Sequence, residues 1–181
     1  MRGSKEKTMK QHLGAAAIVV AIFLCAGYAS ILSAVGSPSQ KEAQNGATVT
    51  RRATGSFDVK LTPQDDQSED KSLGRILIDK QFHGDLEAAS HGQMLTAGSG
   101  AQGSSGGYVG MEKVTGTLHG LSGTFILKHS GTMTRGTPKL SLTVVPDSGT
   151  GQLVGLAGAM SIKVTDGKHF YEFDYTLAEN N

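Results

Sequence analysis

Beyond the first 35 residues, apolar and polar positions alternate in short runs, and none keeps apolar residues at helical spacing for long. A period of two is the mark of half-buried strands. Eight runs have this character: residues 54–61, 74–83, 86–97, 107–118, 123–130, 139–145, 159–165 and 169–177. Turn chemistry bounds several of them: Pro63 with Asp65-Asp66, the stretch 98–107, Thr137-Pro138, Pro146-Asp147-Ser148-Gly149, and Asp166-Gly167. Asp166-Gly167, between two alternating runs, is the strongest short hairpin signal in the chain. The acidic stretch 64–72 reads as a solvated loop.

One pattern occurs twice. Gly116-Thr117-Leu118-His119-Gly120-Leu121-Ser122-Gly123 is echoed by Gly151-Gln152-Leu153-Val154-Gly155-Leu156-Ala157-Gly158. Each copy predicts a strand that ends, turns through glycines and restarts. Glycine allows the positive φ and close backbone approach that a sharp sheet corner needs. Two corners suggest a sheet curling back on itself. Eight strands match the size at which a closed barrel fills with side chains or holds one small ligand. Closure also removes exposed edges. The predicted fold is therefore all-β, an eight-stranded antiparallel barrel over 53–178, with a two-sheet sandwich as the alternative.

Strand parity sorts the faces. Ile76, Ile78, Lys80 and Phe82 share one face, against Arg75, Asp79, Gln81 and His83. Tyr108, Glu112, Val114 and Leu118 share another; so do Phe125, Leu127 and His129; so do Tyr171, Phe173, Tyr175 and Leu177. Three ionisable residues thus fall on mainly apolar faces: Lys80, Glu112 and His129. Buried ionisable groups are costly unless paired. Facing one cavity, Glu112 or His129 could act as general acid or base, with Lys80 stabilising developing negative charge. The alternative is a structural ion pair closing the barrel floor. The aromatic set Tyr108, Phe125, Tyr171, Phe173, Tyr175 and Phe82 is the expected lining for an apolar or amphipathic ligand, against plain core packing.

The N-terminus differs. Arg2, Lys5, Lys7 and Lys10 precede an uncharged apolar run, residues 13–32. Its length reaches that of a bilayer-spanning helix, and a basic region before an apolar run also marks a secretory signal. Residues 1–36 are read as an N-terminal apolar helix, either a membrane anchor or a signal peptide cleaved after Ala29 or Gly36. The basic flank places the barrel outside the cytoplasm, anchored or released. Residues 37–52, rich in Ser, Gln, Ala and Lys, read as a flexible linker.

Composition removes several functions. The net charge of +1 comes from the N-terminal segment; the remainder is slightly acidic, so nothing electrostatic favours nucleic acid. The single cysteine, Cys25, lies in the apolar run, which leaves the barrel without thiol chemistry or disulfides. The histidines show no metal-ligand spacing, and no metal or other cofactor is expected. Gly98-Ser99-Gly100-Ala101-Gln102-Gly103 spells a dinucleotide-binding pattern, but a strand follows it where a helix is required. Gly103-Ser104-Ser105-Gly106-Gly107 likewise lacks the strand and helix that flank a nucleophile elbow. That loop reads as a rim segment.

Asp79-Lys80-Gln81-Phe82-His83-Gly84-Asp85-Leu86-Glu87, Val114-Thr115-Gly116-Thr117-Leu118-His119-Gly120, His129-Ser130-Gly131-Thr132-Met133 and Val144-Val145-Pro146-Asp147-Ser148-Gly149-Thr150-Gly151 together resemble the bacterial domain-of-unknown-function family 3224 (DUF3224). The resemblance covers residues 53–178. It implies a barrel similar to the allene oxide cyclase and dirigent folds, with an internal cavity, and it implies no established activity. Three functions are carried forward: binding of a small apolar or amphipathic molecule; a metal-independent isomerase or cyclase; and an assembly module that forms homo-oligomers through its wall, where Val109 and Met111 face outward.

Overall fold

A computed structural model describes residues 49–65, 72–98 and 103–177. The apolar run 13–32 and its linker lie outside the described residues. Among the described residues no helix is long and apolar enough to cross a membrane.

The chain forms eight strands: β1 (Arg51–Gln64), β2 (Leu73–Gly84), β3 (Leu86–Gly98), β4 (Gly106–Leu118), β5 (Leu121–Thr134), β6 (Thr137–Val144), β7 (Ala157–Thr165) and β8 (Lys168–Thr176). Each pairs antiparallel with its neighbour, and β8 closes on β1 to complete the barrel. The expected barrel is the one observed. Arg52 fastens the closure from outside, its guanidinium bonding both carboxylate oxygens of Asp174 on β8.

Three hairpins are two-residue turns with positive φ at both positions, the type I′ signature that matches strand twist. They are His119-Gly120, Arg135-Gly136 and Asp166-Gly167. Thr137-Pro138 is the expected β5–β6 turn. The structure moves it to Arg135-Gly136 and makes Thr137 and Pro138 the first residues of β6, a strand-start position where proline's missing N–H is tolerated.

The two copies of the repeat also differ. The first is a hairpin, as expected. In the second, Gly151–Leu153 is a 3-10 turn and only the later half enters a strand, β7. The reason is tertiary. Residues 145–152 run along the first half of β5, where β6 has ended: Thr150 N donates to the Thr124 carbonyl, and Ile126 N donates to Ser148 Oγ. The two copies thereby touch, and Ser122 N donates to Gln152 Oε1.

Inward residues form two apolar clusters. The larger, lower one gathers Phe57, Phe82, Val114, Leu118, Phe125, Leu127, Phe173 and Tyr175, and is plugged from below by Leu153 and Leu156. The smaller, upper one holds Ile76, Ile78 and Met94, with Val59, Leu61 and Tyr108 against them. It lies toward the end carrying the β1–β2 and β3–β4 connections. Between the clusters runs a polar layer.

Candidate functional site

The polar layer consists of Lys80 on β2, Ser90 on β3, Glu112 on β4 and His129 on β5, all buried. Lys80 faces Ser90 directly across the ladder. The next two strands are staggered, so Glu112 faces Gly92 and His129 faces Gly110. Gly92 makes room for Glu112, and Gly110 makes room for Met94. A β-carbon on Gly92 would stand 2.6 Å from the Met111 carbonyl and 3.0 Å from Glu112 Cβ, closer than side chains pack.

Glu112 is the hub. One oxygen, Oε2, accepts a hydrogen bond from Lys80 Nζ at 2.7 Å. The other, Oε1, accepts one from Ser90 Oγ. His129 Nε2 lies 2.7 Å from Oε2, an ion-pair distance, but the ring N–H is not aligned as a hydrogen bond. The Lys80 ammonium also sits 5.0 Å from the Phe57 ring centre and 5.5 Å from that of Phe82, within cation–π range.

Burial pushes the Glu112 carboxyl up, but His129 and Lys80 beside it outweigh burial and hold it down at about 2. Glu112 is therefore an anion at any physiological pH and a poor base. Burial, with the Glu112 charge adding to it, pushes the Tyr108 hydroxyl up to about 12, so it stays neutral. His169, stacked 5.0 Å over Phe57, is pushed down by burial and then by the Lys80 charge.

Lys80, Glu112 and His129 lie on inward faces, as parity suggested, and the stagger of the strands brings them together. The expected aromatic lining divides. Phe82, Phe125, Tyr171, Phe173 and Tyr175 pack in the lower cluster: Phe125 stacks on Phe173 at 5.9 Å, and Phe82 meets Tyr171 edge-on at 5.7 Å. Two hydroxyls there are engaged. Tyr171 Oη accepts from Leu86 N at 2.9 Å, and Tyr175 Oη pairs with His119 Nδ1 at 2.7 Å. Only Tyr108 of the set stands in the upper cluster. Its ring lies against Gly131, its cross-strand partner, and its hydroxyl has no hydrogen-bond partner among the described residues. Ser90 was missed by sequence reasoning. It shares its face with Leu86, Ala88 and Met94, and a lone serine among small residues gives little signal.

Comparison with known proteins agrees with the geometry. The fold and its buried layer define a small antiparallel β-barrel. Residues 53–175 match the family model "Protein of unknown function (DUF3224)", and the chain belongs to that family. A crystal structure of a DUF3224 protein of unknown function from Shewanella oneidensis MR-1 is 46% identical and superposes with a TM-score of 0.66. The match covers 72% of this chain and 99% of that one. No curated protein matches the chain.

Proposed function

We propose that the barrel binds one small amphipathic molecule at its upper end. The apolar body rests against Ile76, Met94 and Tyr108, and the polar head is turned toward His129 and Lys80. We infer further that the barrel lies outside the cytoplasm, anchored or released, a reading supported by the uncharged length of residues 13–32 and their basic flank.

One observation carries the binding reading: polar groups with incomplete partners border the small upper cluster. His129 Nε2 is buried, with Glu112 Oε2 at 2.7 Å but off the line of a hydrogen bond, and the hydroxyl of the half-buried Tyr108 has no hydrogen-bond partner among the described residues. Buried polar groups are nearly always satisfied, and exceptions mark places where another group belongs. The ion cluster itself points the same way. Apolar replacements of similar volume often stabilise a core as well or better, so stability alone gives weak grounds for keeping it. Acid–base catalysis is less favoured, because a Glu112 carboxyl held at about 2 is a weak proton acceptor.

Native mass spectrometry of the purified chain, followed by denaturing extraction, tests this. The expected result is an added small-molecule mass that disappears on denaturation and is reduced in Tyr108→Phe at unchanged stability. A bare mass from wild-type protein, with no organic extract, would rule the reading out.

A further inference from the structure

We infer a second binding site on the outer wall, where β7, β8, β1 and β2 run side by side, and the geometry points to an acidic sugar as its ligand. Lys163, Phe170, Ser56 and His83 form one row of successive cross-strand partners across the four strands. Ser161, Glu172 and Thr54 form the row beside it. Between them lies an open groove of about 520 Å³. The hollow has a sequence cause. The short outward side chains of Thr54, Ser56 and Ser161 keep the floor low, the missing side chain of Gly55 lying on the inner face against Tyr171, while Phe170 and Lys163 rise at one side.

The lining is selective. Phe170 keeps 41% of its surface exposed, on a different strand from the other exposed apolar strand residues, Leu73 on β2, Leu95 on β3, and Val109 and Met111 on β4. An exposed aromatic face offers a platform for the C–H face of a ring. Among the described residues, Ser56, Ser161 and Lys163 make no side-chain hydrogen bond or ion pair. Two free hydroxyls suit ligand hydroxyls, and a free ammonium suits a carboxylate. Glu172 stays near Arg52, at 3.4 Å, with oxygens able to accept from a sugar hydroxyl.

Other ligands fit less well. A phosphate-rich ligand would leave the Phe170 face and the two serine hydroxyls unused. An alkyl chain would bury the serines and Lys163 without partners. An aromatic carboxylate would use Phe170 and Lys163 but leave the hydroxyls idle. The groove volume suits one or two sugar rings.

Digalacturonate, neutral galactobiose and benzoate are titrated into the full-length chain in a detergent without sugar headgroups. Heat and amide shifts are followed. Saturable digalacturonate binding is expected, with shifts confined to residues 54–56, 83–84, 161–163 and 170–172. Phe170→Ala should weaken it roughly tenfold. Lys163→Gln should weaken it by a similar factor and remove the preference over galactobiose. Benzoate binding as strongly as digalacturonate, no saturable binding of digalacturonate, shifts centred on Tyr108, or affinity unchanged in both variants would each overturn the assignment. The outcome is independent of the site inside the barrel.

Discussion

The Lys80 ammonium and the Glu112 carboxylate meet at 2.7 Å with only 6% and 0% of their side chains exposed. Neither charge is tolerable there alone. Glu112→Gln keeps the shape but leaves Lys80 with no buried counter-charge. Removing one partner of a buried pair typically costs about 3–5 kcal/mol. Glu112→Gln is expected to lose that much in urea unfolding. A loss below about 1 kcal/mol would mean that water reaches the pair.

Removing both charges is a different experiment. Lys80→Met with Glu112→Leu replaces the pair by apolar groups of similar volume. Such replacements are often neutral or stabilising by about 1–4 kcal/mol. Glu112→Leu also takes the partner from the buried Ser90 Oγ and His129 Nε2, which offsets part of that gain, so the double variant is expected to lose less stability than Glu112→Gln alone while losing the copurified small molecule. Retained ligand in a stable double variant would remove the polar layer from the binding site.

Acid should find the same pair. The Glu112 carboxyl ordinarily titrates near 4.5 and is held at about 2 in the folded barrel. A carboxyl depressed on folding contributes stability that is complete above its unfolded value and is lost as pH falls through the folded one. The Glu112 contribution should therefore disappear between about pH 4.5 and pH 2. Asp85 and Asp174 are also held low, by the Thr54 backbone N–H and by Arg52 respectively, so wild type alone cannot isolate it. The readout is the difference in unfolding free energy between wild type and Glu112→Gln. It should be constant above pH 5 and shrink toward pH 2; a difference that stays flat would place the acid response elsewhere.

The legible part of this molecule is what depends on period two. Lys80, Glu112 and His129 could be assigned to a buried face because each alternates with apolar neighbours on its own strand. Their meeting could not be read, because it depends on the stagger between strands, and Gly92 and Gly110 look like any other glycines until the ladders are aligned. The Arg135-Gly136 turn was hidden for a related reason. Arginine is a poor advertisement for positive φ, and Pro138 two residues on is a louder signal. The repeat misled in its second copy because Gly151–Leu153 takes its shape from β5, a neighbour distant in sequence. Tyr108 fell on the correct face, but its separation from the other aromatics follows from which end of the barrel β4 begins at.

Gly131 gives the sharpest test of the upper cluster. It faces Tyr108 across the β4–β5 ladder, and a β-carbon there would collide with Tyr108 Cε1. Glycine is required at this position because the ring occupies the space a methyl would need. Gly131→Ala must displace the ring or bend β5, and overpacking of this kind typically costs about 1–3 kcal/mol. Tyr108→Ala alone should also destabilise, by leaving a cavity. In the double variant the new methyl enters space the ring has left, so the two losses should not add. A coupling of about 1 kcal/mol or more toward stability is expected from a double-mutant cycle, as contacting residues show. Strict additivity would mean that the ring does not rest on Gly131, and the upper cluster as described would then be wrong.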